Sequence, residues 1–217
     1  MNTSPVRLIG GTLVAAGMML ATGALVRDDA EAAGARAPGG AFARDTAVFA
    51  GGCFWSTEKA FEHLPGVLSA TSGYAGGRVA NPSYEQVGSG RTGHAESVQV
   101  VFDPARTSYG RLLDVYWHSI DPTSTDGQFC DHGTEYRAIV FYRDAGQRRA
   151  AQASKATVQA RFTRPVTTQI ARATPFYAAE EYHQDFADRN PGHYNSYRIG
   201  CGRDRRLREL WGGTAGG

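Results

Sequence analysis

A cysteine that follows two glycines and precedes two aromatic rings, Gly51-Gly52-Cys53-Phe54-Trp55, is the sharpest chemical feature of the sequence. Thr46 to Ala50 reads as a short apolar strand, and Ser56 to His63 has helical character, so Cys53 falls at a strand-to-helix turn. The free N–H groups and partial positive charge at a helix start favour an anion, which predicts a lowered thiol pKa and more thiolate. A lone cysteine is more often a buried, inert one. Glycines that permit a tight turn, with rings beside the sulfur, point this one toward nucleophilic catalysis.

A proton donor for such a nucleophile is available in the run Ala95 to Phe102, which alternates as a strand does. Glu96 shares its face with Val98, Val100 and Phe102, while Ser97 and Gln99 point the other way. A carboxyl among apolar neighbours keeps its proton to higher pH, the state a donor requires. A strand-end carboxylate at the solvent is the alternative, and periodicity does not choose between them. Tyr84 and Tyr136 could offer hydroxyls, but with ten tyrosines in the chain the pattern does not select these two. Asp131 lies in a polar loop, Phe129 to Arg137, and His183 reads as a structural histidine on a helix. The three cysteines, Cys53, Cys130 and Cys201, exclude a fully paired disulfide framework, and without a CxxC pair no structural metal is expected.

The elements that must position these groups alternate. Further strands are predicted over Val67 to Ser72, Ala138 to Tyr142 and Thr167 to Ala171, and helices over Ser108 to Ser119 and Asp144 to Phe162, the latter capped by Asp144. That order predicts an α/β (α+β) fold, a two-layer sandwich with a mixed sheet. The glycine-rich stretch Gly73 to Gly93 reads as loops over one sheet edge.

With 217 residues the chain accommodates one domain of ordinary size. Arg7 precedes an uncharged stretch from Leu8 to Val26, followed by Asp28, Asp29 and Glu31, an export signature. Residues 1–32 are therefore read as an export signal, cleavable at Ala30-Glu31-Ala32, or a retained membrane anchor; the protein is placed outside the cytoplasm, in the periplasm or on a membrane. Residues 33–44 read as an Ala/Gly linker, 45–190 as the catalytic domain, and 191–217 as an irregular tail carrying Cys201 on a mobile, glycine-flanked segment. Twenty-three Lys and Arg against 21 Asp and Glu leave a formal net charge of +2, which gives no electrostatic argument for nucleic acid. A monomer is expected.

Several ordered motifs carry a resemblance to the A-type peptide methionine sulfoxide reductases. They are Gly51-Gly52-Cys53-Phe54-Trp55, Gly73-Tyr74-Ala75-Gly76-Gly77, Asn81-Pro82-Ser83-Tyr84, Gly93-His94-Ala95-Glu96, the Asp131-to-Arg137 loop, and Phe176 through Gln184. The resemblance spans about Thr46 to Trp211 and implies a ferredoxin-like plait. It implies Cys53 as nucleophile, Glu96 as proton donor, Tyr84 and Tyr136 as hydroxyl donors, Phe54 and Trp55 as the wall for the substrate methyl, and Asp131 at the substrate backbone. Reduction of the S epimer of methionine sulfoxide, in oxidised proteins and peptides, is implied as well.

On this reading Cys53 becomes a sulfenic acid, Cys201 resolves it as a Cys53–Cys201 disulfide, and thioredoxin or another dithiol reduces that bond, with no bound cofactor. Cys130 is expected to be structural. Two other classes remain: a cysteine hydrolase with His94 or His183 as base, and a peptide-binding module in which the thiol is incidental.

Overall fold

A computed structural model of the chain describes residues 43–213. The export segment and nearly all of the linker lie outside the described residues. Strand β1 (Asp45–Ala50) leads through Cys53 into helix α1 (Phe54–Glu62), β2 (Val67–Ala75), α2 (Tyr84–Gly88) and β3 (Ala95–Phe102). Then come α3 (Tyr109–His118), β4 (Ile139–Tyr142), α4 (Ala145–Gln159), β5 (Gln169–Arg172) and β6 (Tyr177–Ala178). Three helices close the chain: α5 (Phe186–Arg189), α6 (Pro191–Gly200) and α7 (Arg203–Trp211).

The six strands form one sheet in the order β5-β4-β1-β3-β2-β6. Its four central strands are two interleaved βαβ units, β1-α1-β2 and β3-α3-β4, each with a strand of the other unit inserted, which is the ferredoxin-like plait. The added edge strand β5 runs parallel to β4, making the sheet mixed as expected.

Period two sorts the strands between two apolar layers. Ala47 and Phe49 of β1, with Val98, Val100 and Phe102 of β3, join the large core under the helices, while Val48 and Ala50 enter a smaller cluster on the other face. Phe49 stacks between Phe61 and Tyr116, each ring 5.1 Å away. Burying such a ring contributes roughly 2 to 3 kcal/mol. Glu96 has the parity of Val98 and lies opposite Tyr74 in the register, so its side chain enters the helix layer.

Two regions differ from expectation. The Gly73–Gly93 loop region contains α2, with Ser83 and Gln86 forming a reciprocal capping box, and β2 runs on into it as far as Ala75. The tail is not irregular. Pro191 occupies the first turn of α6, where its missing N–H costs nothing, and Gly202 at φ +64° lets the chain turn into α7. Arg203 and Leu207 are buried, and Trp211 donates its indole N–H to the Ile120 carbonyl at 3.2 Å. Cys201, expected on a mobile segment, caps α6 at the junction of two packed helices.

Candidate active site

The turn before α1 works because residue 52 has no side chain. Gly52 sits at φ +83°, and a Cβ there would come within 2.5 Å of Gln128 Cβ. The backbone can therefore close against Gln128 and deliver Cys53 to the N-cap of α1, where its carbonyl accepts the Ser56 and Thr57 N–H groups at 3.2 and 3.3 Å. Cys53 is only 7% exposed.

β3 brings Glu96 to the same helix start. Its Oε2 accepts the Phe54 backbone N–H at 2.9 Å, and the residue is 3% exposed. Burial pushes this carboxyl up to about 8, with the Asp131 and Glu135 carboxylates adding to the rise and the Phe54 N–H opposing it. At neutral pH Glu96 therefore holds a proton, which favours the donor over the solvent-side alternative.

The same surroundings overturn the expected thiolate. Burial, then the Glu96 and Asp131 carboxylates, hold the Cys53 thiol well above its ordinary value. Desolvation of a charge outweighs the partial charge of one helix end. Resting Cys53 is a thiol, and its proton must leave as the reaction proceeds.

Tyr84 begins α2, its backbone N–H held at 2.9 Å by Glu180, whose other oxygen accepts the Tyr74 hydroxyl. Tyr136 follows the Asp131 loop in a single 3-10 turn. The structure brings both hydroxyls to the site: burial and the Glu96 carboxylate push Tyr84 up to about 12 while its contact with Tyr136 works the other way, and Tyr136 is raised by burial, Glu96, Asp131 and Cys53. Both remain donors across the working range.

The two rings after Cys53 have different settings. Phe54 is 1% exposed and packs on Tyr74, Tyr84 and His183, as core, whereas Trp55 is half-buried, stacks on Phe186 at 3.7 Å and meets Tyr197 edge-on. The Trp55 indole donates to His183 Nδ1 at 3.1 Å. That bond leaves Nε2 of the neutral imidazole as its N–H, buried and without a hydrogen-bond partner among the described residues. His94 is engaged through Nδ1 by the Gly77 N–H and through Nε2 at the Val79 carbonyl. Neither histidine is placed as a base on Cys53, which removes the support for a hydrolase.

Asp131 lies beside Cys53 as well. Burial raises its carboxyl, while the Tyr197 hydroxyl it accepts, the Arg203 and His132 charges and the Cys53 backbone amide oppose the rise. Tyr197 and Arg203 are site residues that the sequence reading missed. Tyr194, Tyr197 and Cys201 have helical i, i+3 and i+7 spacing, a signal present in a segment read as irregular.

The remaining sulfurs give the main correction. Cys130 and Cys201 form a disulfide, Cα–Cα 5.0 Å, and Cys53 is free. Cys130 is thus bonded to Cys201, the cysteine expected to pair with Cys53. It lies at the tip of a turn closed by reciprocal Gln128 and Asp131 backbone bonds of 2.9 Å, with Phe129 at φ +56°. A turn that pairs with a residue 71 positions away is invisible to local pattern. Cys130, Asp131 and Cys201 bring ligand atoms within 4.8 Å of one another, but sulfurs bonded together have no thiolate to give a metal.

Residues 45–215 match the model of the family described as peptide methionine sulfoxide reductase. The peptide methionine sulfoxide reductase MsrA of Bacillus licheniformis is 48% identical over 171 residues, covering 78% of this chain and 94% of that protein. MsrA 2 of Caulobacter vibrioides is 51% identical over 170 residues, covering 78% and 86%. Among solved structures, the reduced form of Mxr1 from Saccharomyces cerevisiae superposes with a TM-score of 0.65 at 31% identity, covering 68% of this chain and 86% of that one. Methionine sulfoxide reductase A of Corynebacterium diphtheriae gives 0.63 at 31%, covering 70% and 77%.

Proposed function

The chain belongs to the peptide methionine sulfoxide reductase family, in its A type, and on that premise we propose the following cycle for it. The substrate is the S epimer of methionine sulfoxide in oxidised proteins and peptides. Its oxygen sits among Glu96, Tyr84 and Tyr136, and its methyl group against the exposed part of Trp55, with Asp131 toward the substrate backbone.

The observation that carries this reading is the 2.9 Å bond from the Phe54 N–H to Glu96, which holds a protonated carboxyl at the helix start that carries Cys53. Glu96 gives its proton to the sulfoxide oxygen and is left to take up the Cys53 proton as the sulfur attacks, so the carboxyl ends the step protonated again. The substrate S–O bond breaks, the oxygen stays on Cys53 as a sulfenic acid, and two electrons pass to the substrate sulfur, releasing methionine. The Cys201 thiol then attacks the Cys53 sulfur and water leaves. Thioredoxin, or another dithiol, reduces the enzyme disulfide by exchange; the surface position of Cys130 supports access by a partner of that size.

The protein is further proposed to work as a monomer outside the cytoplasm, exported or anchored by residues 1–32, a reading supported by the uncharged stretch Leu8 to Val26. Incubation with a methionine sulfoxide peptide and dithiothreitol tests the reaction: the peptide should lose the mass of one oxygen atom, only in the S epimer. Release of an acid from an ester or amide without any reductant would point to a hydrolase. Unchanged peptide binding by Cys53→Ala, with no conversion by the unaltered chain, would point to a binding module.

A further inference from the structure

We propose that Tyr182 and the carboxylates around it form a recognition shelf for a cationic side chain, Lys or Arg, lying within about two positions of the methionine sulfoxide in the substrate chain. The inference rests on the proposed reaction at Cys53 and names the class of protein segment that the same site takes up best.

A line of three rings ties this shelf to the oxygen site. Glu181 to His183 form a single 3-10 turn, in which successive side chains point apart, so His183 enters the core and Tyr182 is left outside it. His183 is 2% exposed and Tyr182 54%. The Tyr182 ring lies 4.1 Å from that of His183, which in turn lies 4.4 Å from that of Tyr84, a hydroxyl donor of the cycle. A single exposed apolar residue is ordinary on a protein surface. Here the position matters: an extended peptide advances about 3.3 to 3.6 Å per residue, so two ring contacts are covered within about two residues of the sulfoxide.

Charge selects the ligand. Burial, then the Glu180 and Glu85 carboxylates, raise the Tyr182 hydroxyl, so a negative field covers the ring. Among the described residues neither carboxylate is in an ion pair: Glu85 accepts the Ser83 hydroxyl, and Glu180 the Tyr74 hydroxyl and the Tyr84 N–H. Against burial, those bonds hold the Glu180 carboxyl below its ordinary value, so it stays ionised. Glu181, on the same turn, pairs at 3.2 Å with Arg189, whose guanidinium also donates to the Glu181 and Gln184 carbonyls and is thereby engaged there. Burial lowers the His183 pKa, with Glu180 and Glu85 opposing, so the ring beside Tyr182 is neutral at neutral pH and repels no cation. An ammonium or guanidinium over the Tyr182 face meets the negative face of the ring and two carboxylates together, whereas an acidic side chain would be repelled by both.

The test uses the full chain with dithiothreitol and short blocked peptides that carry methionine (S)-sulfoxide at the centre and Lys, Leu, Gln or Glu before or after it, within the reach of the shelf. At the favoured position kcat/KM should be about tenfold higher for Lys than for Glu, with Gln between, and the difference should lie in KM rather than kcat, because the shelf touches no reacting atom. Tyr182→Ala should bring the Lys-to-Glu ratio to within about twofold of unity, while Tyr182→Phe, which keeps the ring face, should retain it. Glu85→Gln should lower the ratio by about half, as should high salt. Each ratio compares peptides on one variant, so a general loss of folded protein cancels. Equal kcat/KM for all peptides, or a Lys preference that Tyr182→Ala leaves intact, would overturn the shelf. A preference for Leu over Lys that Tyr182→Ala removes would make Tyr182 an apolar contact and overturn the assignment of a cation. Absence of conversion of every peptide would instead count against the reaction itself, so the two failures are told apart.

Discussion

Cys53 is 7% exposed and walled by Glu96, Asp131 and Tyr197, whereas the Cys130–Cys201 disulfide joins an exposed turn to the end of a surface helix. The first setting suits proton transfer: burial keeps a proton on both the thiol and the carboxyl until substrate arrives. The second suits exchange with another protein, which needs access and little else. One kind of surroundings could not serve both tasks, because the desolvation that keeps Glu96 protonated would shut out a dithiol partner.

Removing the buried nucleophile should break this division most severely. Cys53→Ser should abolish methionine formation, even stoichiometrically, because a hydroxyl is a far weaker nucleophile than a thiol near neutral pH. Residual activity above a few per cent of the unaltered protein, measured by peptide mass, would move the nucleophile elsewhere.

Next in size comes Glu96→Gln, which keeps the shape and loses the proton. The first-turnover rate should fall roughly 10²- to 10⁴-fold, the usual contribution of a general acid. Since the folded carboxyl is raised to about 8, the unaltered protein should lose first-turnover rate as pH rises through about 8, and the variant should lack that descent. Stopped-time methionine assays across pH decide it, and a variant with the same descent would assign it to another group.

Much of the buried half was legible in the sequence because its cues are local. Two glycines before Cys53 announce a turn, and alternation in Ala95–Phe102 puts Glu96 with the core side chains. The protonation of Cys53 was not legible, since the carboxylates that hold it come from β3 and the Asp131 loop, 43 and 78 positions along the chain from residue 53. Nor was the exposed half. Arg-rich α7 has little apolar content by which to declare a helix, yet Leu207 and the buried Arg203 anchor it. α2 is five residues long beside glycines, too short for periodicity to register.

The exposed half should prove firmly attached, and Arg203→Met measures how firmly. Losing the charged hydrogen bond to Ser119 should lower unfolding free energy by roughly 2 kcal/mol in a denaturant titration. A change near zero would mean that α7 is held by Leu207 and Trp211 alone.

The smallest effect is expected at Glu58, a second buried carboxyl, which accepts the Ser72 and Asp185 backbone N–H groups at 3.1 and 3.0 Å. Burial pushes it up from its ordinary 4.5 to about 7. A carboxyl raised on folding binds more protons folded than unfolded, so its contribution is full below 4.5 and is lost as pH rises through about 7. Glu58→Gln should cost about 1 kcal/mol at neutral pH and flatten the fall of the denaturant midpoint between those values. An unchanged slope would assign the pH dependence to Glu96.

The Cys130–Cys201 bond joins residues 71 positions apart and closes the chain between them into a covalent ring that contains β4, α4, β5, β6, α5 and α6. A protease that cuts once anywhere inside that ring cannot release a fragment while the bond is intact. The nicked chain would keep its mass and run as one species until a reductant is added, when it would fall into two pieces. In oxidising surroundings the protein would thus carry damage from a single cut without losing any of its parts, and mild proteolysis compared on reducing and non-reducing gels would report the oxidation state of this pair directly.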